Sequence, residues 1–460
     1  MFKTLKNAWK IPELKNKLLF TLLIIILYRV VSAIPVPYFR YGEVIAAVNS
    51  YTNGILGFLS TLSGGALAQG TLLALGVSPY ITSSIVMQLL TIAIPALERL
   101  SKEGEEGKKK INFYTRIVTI ILAIITAIGY TSFIMNTDGG AYFQNTGVGG
   151  EYGWLFAGAV MVSCYCAGAM LVMWLAEKIN DHGIGNGISI ILFANIVAGF
   201  FQQASSLYNA TFSNSATTDG FNYVGLIISI CTIIGIVALI MMIVWMSDAE
   251  RRIPIQYAKR VVGRKMYGGQ NTNLPIKVNM SGVMPIIFAN SIVAVPATIA
   301  AFMGNTSNWF TDFVNYWFNY NKPIYLIVFF ILLIAFAYFY IAISFNPVEV
   351  ANNIKNNGGA IPGIRSGRPT VDFIKKVLGR VTLVGALLVA VVACVPMLAG
   401  VIADPIATAM PESLFASAVA NIGFIAFGGS SLMIVVGVAL ETTRELEAQM
   451  SLRNYKGFLD

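Results

Sequence analysis

Ten apolar stretches, each close to the length of a bilayer crossing, constrain this chain more than any other feature. They run Leu18–Ile34, Leu72–Leu97, Ile117–Met135, Trp154–Ala176 and Ile184–Phe201, then Val224–Met246, Val283–Met303, Ile324–Phe345, Val377–Ile402 and Ala416–Leu440. A span needs about 20 mostly apolar residues. Hydrophobic residues make up 56% of the 460-residue chain and charged residues only 12%, about half the charged share of a soluble domain. The expectation is an all-α polytopic membrane protein with ten transmembrane helices. The first stretch is longer than a signal-peptide core of about 7–15 residues, so it reads as a retained span.

Charge then sorts the loops. Of 31 Lys and Arg residues, 28 fall in the N-terminal tail, every second loop and the C-terminal tail, while the opposite loops contribute only Arg40 and Lys322. Basic residues stay on the cytoplasmic side, so both termini are expected there. All 22 Asp and Glu residues lie outside the spans. That weighs against an ion-coupled transporter, which keeps a carboxylate at membrane depth. Arg29, inside the first span, reads as a snorkelling side chain near the outer interface, with a role at a site as the other reading.

Composition also removes most catalytic chemistry. The single histidine, His182, sits in a short loop, so no multi-histidine metal site is available and an intramembrane enzyme would lack a base. Cys164, Cys166, Cys231 and Cys394 lie in apolar runs and read as core residues, with neither a disulfide nor a metal site. The Gly104–Lys108 segment is too short between glycines for a phosphate loop. No cofactor is expected, and ATP-driven work would belong to a partner.

A repeat links the two sets of five spans. Gly76-Val77-Ser78-Pro79-Tyr80-Ile81 and Gly282-Val283-Met284-Pro285-Ile286-Ile287 share G-V-x-P-x-I at an offset of 206. Five is odd, so the second copy is inverted, and the chain divides into residues 1–203 and 204–460. Inverted repeats with Gly/Pro-interrupted helices put the working site at the midplane between them. Each proline is expected to weaken its span near the start. Before the first copy, Ile55–Leu75 is apolar yet broken by Gly57, Gly64, Gly65 and Gly70. It reads as a re-entrant half-helix buried in protein, either a stopper or a structural loop. The loops 247–279 and 346–376 are long and basic, suited to a large anionic partner or serving only to fix topology.

With these residues assembled, the chain resembles the SecY family, the central subunit of the bacterial protein-conducting channel. The likeness rests on Ser63-Gly64-Gly65-Ala66-Leu67, Ala74-Leu75-Gly76, Pro79-Tyr80-Ile81 and Lys102-Glu103-Gly104-Glu105. It continues through Met173-Trp174-Leu175, Gly183-Ile184-Gly185-Asn186-Gly187-Ile188-Ser189, Leu274-Pro275, Lys277-Val278-Asn279, Pro362-Gly363-Ile364-Arg365 and Leu452-Arg453-Asn454-Tyr455.

The resemblance implies a plug over about residues 55–70, including Phe58, Leu59, Leu62, Ser63, Gly64, Gly65, Ala66 and Leu67. It implies a pore ring of Val77, Ile81, Ile188, Leu192, Ile287 and Ile434. A lateral gate between spans 2 and 7 would include Thr82, Ile85, Gln88, Val283 and Asn290. Arg260, Arg264, Lys265 and Arg365 would meet the cytoplasmic partner. Expected partners are the small membrane subunits SecE and SecG, the SecA motor, the translating ribosome, and signal sequences of unfolded preproteins, all at the bacterial plasma membrane. The competing reading is an inverted-repeat secondary transporter of small solutes. It would want polar residues at the breaks, where Val77, Ile81, Val283 and Ile287 stand instead.

Overall fold

A computed structural model describes residues 2–38, 60, 62–136, 153–212, 223–257, 260–262, 265–267, 271–302, 309–317, 322–409 and 428–456. A helix lies on each of the ten apolar runs. In the first half these are α2 (Pro12–Ser32), α3 (Ser78–Ala93), α5 (Glu105–Asn136), α6 (Gly153–His182) and α7 (Gly187–Phe212). In the second half they are α8 (Tyr223–Asp248), α9 (Met284–Phe302), α11 (Pro323–Ser344), α13 (Arg368–Ala409) and α14 (Gly428–Lys456). Short helices α1 (Phe2–Trp9), α4 (Pro95–Lys102), α10 (Trp309–Trp317) and α12 (Pro347–Asn356) lie between or beside them. By length and hydropathy alone, α5, α6, α8, α11 and α13 can each cross a bilayer, and α7 and α9 are shorter apolar helices.

The second run departs from its expected limits. Its helix starts at Ser78, not Leu72, and ends at Ala93, where the chain turns by 101° into α4. Pro95 explains the end, since it disfavours helical geometry at Ile94, whose ψ is 112°. Residues 416–427 of the tenth run lie outside the described residues, and α14 continues well past Leu440 to Lys456.

Large apolar side chains face outward. Ile234 is 62% and Trp245 68% exposed on α8, and Val30 is 62% exposed on α2, as expected for helices bathed in lipid. Cys231 lies exposed on α8, which corrects its reading as a core residue; Cys166 and Cys394 are buried. Inside, one apolar cluster joins α2, α3, α6, α7, α8, α9, α11, α13 and α14 through residues such as Tyr28, Ile81, Leu192, Ile287, Phe329 and Ile434. Lipid is as apolar as leucine, so close approach of helices must supply the packing. Gly437 on α14 meets Val283 with no room for a Cβ between them, and Gly168 on α6 does the same for the Leu72 carbonyl.

The basic loops hold strands that the sequence reading left as loop. β1 (Glu250–Tyr257) pairs antiparallel with β4 (Asn271–Lys277), Glu250 opposite Lys277 and Ile253 opposite Leu274. β5 (Gly359–Ala360) adds to the other edge of β1 at Gln256 and Tyr257. The sheet order is β4-β1-β5, so the two basic loops share one sheet. Ile253, Ile255 and Ile276 turn to one buried face with Ile354, Ile361 and Ile374. β2 (Arg260–Val262) and β3 (Lys265–Tyr267) form a separate hairpin.

Candidate channel constriction and plug

Both copies of the repeat fold the same way. Gly76 and Gly282 adopt φ of 54° and 63°, a left-handed conformation that glycine alone adopts without penalty. Each is followed by a valine, then by a helix whose second residue is proline. Ile81 N donates to the Val77 carbonyl at 3.0 Å, and Ile287 N to the Val283 carbonyl at 3.2 Å. The expectation that the prolines weaken their spans is therefore corrected. The first N–H groups of a helix have no intrahelical partner, so a proline there removes no bond and starts the helix.

These starts bring α3 and α9 together around a cavity of about 300 Å³. Five of the six expected ring residues line it: Val77 and Ile81 from α3 and its start, Leu192 from α7, Ile287 from α9 and Ile434 from α14. Ile188, one turn before Leu192, packs on the same apolar cluster without lining the cavity. Of the expected gate residues, Thr82 and Asn290 line it, while Ile85 and Val283 are buried beside it and Gln88 points to Ser84. Asn290 is 2% exposed, and its amide has no partner among the described residues. Leu122, Ile125 and Thr126 on α5 also line it. The sequence reading missed them, because the third span has no break or repeat to mark a functional face.

The segment expected to be the plug reaches this cavity through Leu62 and Leu67, which line it. Phe58 and Leu59 lie outside the described residues, and so do 39–57 and 61. From Ser63 to Gly70 the chain is wound in successive turns, with Gly64, Gly65 and Gly70 at φ of 67°, 87° and 58°. Its base is fixed by backbone bonds to the chain just after α2, Leu72 N to the Ile34 carbonyl at 2.9 Å and Val36 N to the Gly70 carbonyl at 3.4 Å. Ser63 Oγ accepts from Leu67 N at 3.0 Å, and the buried Tyr130 hydroxyl on α5 donates to the Leu67 carbonyl at 2.6 Å. Arg29 does not snorkel outward. Its guanidinium turns inward, donates to the Ala194 carbonyl on α7 and lies against Gly64. A span-embedded charge finds carbonyl partners inside more cheaply than it reaches water across lipid.

At the other end, Arg260 and Lys265 stand in the β2–β3 hairpin, Arg260 opposite Tyr267 and Val262 opposite Lys265; Arg264 lies outside the described residues. Arg365 is exposed in a loop closed by Thr370 Oγ1 donating to its carbonyl at 3.0 Å. Arg444 on α14 donates to Asp248 Oδ1 at 2.8 Å, tying α14 to the foot of α8. Burial, and then the Arg444 guanidinium, hold the Lys277 ammonium below the usual lysine range.

The comparisons agree with this architecture. The SecY family model matches residues 71–443. The chain belongs to the SecY family. It is 42% identical to the protein translocase subunit SecY of Streptomyces galbus and 38% to that of Bacillus subtilis, each alignment covering 100% of both chains. Among solved structures it resembles a protein-conducting channel at TM-score 0.57 and 19% identity, covering 95% of this chain and 96% of that one. It also resembles a SecY structure described for its plug domain, at TM-score 0.60, 19% identity and 96% of each chain. Canine Sec61 from a ribosome–channel complex gives 0.57 at 18% identity, again with 96% of each chain. These three likenesses carry the fold.

Proposed function

We propose that this membrane protein is the pore-forming subunit of a protein translocase, a passive channel that passes unfolded polypeptides and releases apolar segments sideways into lipid. The observation that carries the reading is a cavity lined by Val77, Ile81, Leu192, Ile287 and Ile434 together with Leu62 and Leu67. Aliphatic side chains offer a permeant ion no hydrogen bonds, so a narrow ring of them dewets and blocks ions. The same ring widens around any side chain, as a channel for many sequences requires. Residues 1–203 and 204–460 act as two halves around it, with the lateral gate between α3 and α9.

Lipid does the sorting. A signal core of about ten leucines gains roughly 5 kcal/mol on entering the bilayer, at about 0.5 kcal/mol each. That is enough to hold apart two helices whose contact is only packing. The basic hairpin and Arg365 suit the SecA motor and ribosomal RNA, with SecE and SecG as membrane partners. The charge bias favours cytoplasmic termini in a bacterial plasma membrane.

Crosslinking tests the reading. A stalled secretory chain should crosslink to a cysteine at Ile81 and not to one at Ile234 on the outer face of α8. Equal yields at both positions overturn it.

A further inference from the structure

The plug is not held by apolar contact alone. Asn195, fully buried on α7, donates through Nδ2 to the Leu62 carbonyl at 2.9 Å and to the Tyr28 hydroxyl at 2.9 Å. Leu62 lies eight residues before the base at 70–72, and it lines the cavity. Arg29, next to Tyr28, ties α2 to the carbonyl of Ala194, the residue before Asn195. Gly64 lies beneath both groups: a Cβ there would come within 2.8 Å of Arg29 Nη1 and 3.1 Å of Asn195 Oδ1. Side chains from α2 and α7 thus form one linked group, and Asn195 alone carries it to the Leu62 carbonyl.

We propose that Asn195 is a latch that holds the plug shut, aimed by Tyr28, and that ring widening withdraws it. The inference rests on the reading of residues 55–70 as the plug. Asn195 is three residues after the ring residue Leu192, so both project from the same face of α7 one turn apart. Displacement of α7 outward from the ring carries the amide away from the Leu62 carbonyl. In a dry cavity, separation leaves a donor and an acceptor unpaired, which opposes opening. Once a chain has wetted the pore, water satisfies both groups and the latch no longer resists. The plug therefore stays shut against fluctuations and yields to an arriving substrate.

The test is resting conductance of the reconstituted complex in planar bilayers, with no translocating chain. Asn195→Leu keeps the shape and removes the donor. It should raise the frequency of openings about tenfold, equivalent to about 1.4 kcal/mol off the closed state. Tyr28→Phe leaves the bond to Leu62 and should raise it less. Asn195→Asp, which also lacks the donor, is the second variant if the leucine form does not assemble. In a channel lacking residues 62–67, Asn195→Leu should add nothing. If that deletion does not raise conductance, the plug reading itself fails. If the deletion leaks but neither Asn195 variant does, or if Asn195→Leu leaks equally without the plug, the latch is overturned.

Discussion

The two copies of the G-V-x-P-x-I repeat share a backbone and differ in everything attached to it. Gly76 follows the plug, and a Cβ there would touch Ser63 at 3.5 Å; Gly282 follows the β1–β4 sheet, and a Cβ there would meet nothing within 4 Å. α3 ends after 16 residues at a 101° turn, whereas α9 continues for 19 residues through Pro296. In the proposed reading, the first half enters its gate helix from a stopper and the second enters its gate helix from a basic sheet. The shared pattern sets how each helix starts, while the segments that precede the two copies differ entirely.

The largest effect tests whether the copies meet as equals. Ile81→Ser and Ile287→Ser should each hydrate the ring and raise resting conductance by similar amounts. The double variant should exceed about tenfold, the change that follows from losing about 1.4 kcal/mol of closed-state packing. Single-channel recording of the purified complex measures this. A large leak from one isoleucine and none from the other would break the equivalence.

A second comparison concerns the hinges. Alanine at a left-handed position costs about 1–2 kcal/mol, so Gly76→Ala and Gly282→Ala should each lower thermal stability by that amount. The contact with Ser63 is ordinary van der Waals distance and adds nothing. Gly437→Ala forces a Cβ against Val283 and should cost about 1–3 kcal/mol. Unequal losses at Gly76 and Gly282 would mean that the surroundings, not the shared turn, set the strain.

Much of this was legible before any coordinates. Length and hydropathy located the helices because a bilayer imposes a length on every crossing, and the repeat paired Ile81 with Ile287 because a shared cap gives a shared register. Other features were hidden for physical reasons. The β1 and β4 strands do alternate, Arg252-Ile253-Pro254-Ile255 and Asn273-Leu274-Pro275-Ile276, but each carries a proline that argues against a strand. Pro254 is tolerated because β5 reaches only Gln256 and Tyr257, leaving that edge of β1 unpaired. Asn195 and Tyr28 gave no signal, since an isolated polar residue in an apolar run looks the same whether it faces a neighbour or a plug. Arg29 was misread because sequence supplies depth but not direction around the helix.

Docking should separate the halves by function. Charge reversal at Arg365, or at Arg264 with Lys265, should weaken binding of the soluble partner by up to about 1 kcal/mol per charge, most strongly at low salt where screening is least. Resting conductance should not change, in contrast to the ring and latch variants. Binding titrations at two ionic strengths, paired with conductance, measure both. A conductance change from these loops would mean that they and the ring form one unit.

The smallest effect sharpens the comparison most, because its sign is at stake. Pro79 and Pro285 occupy the second residue of α3 and α9, where the N–H has no helical acceptor. A proline interrupting a helix interior costs about 3 kcal/mol, so replacing it with alanine would stabilise the protein by a similar amount. At these positions the balance reverses. Proline there fixes φ at a helical value and restricts the unfolded chain, which is worth about 0.4–1 kcal/mol. Pro79→Ala and Pro285→Ala should therefore each lower stability, by no more than about 1 kcal/mol, and leave resting conductance unchanged. Thermal unfolding of the solubilised complex gives the sign directly. A rise in melting temperature at either position would show that the proline strains its helix, and a rise at only one would show that the two copies enter the membrane by different means.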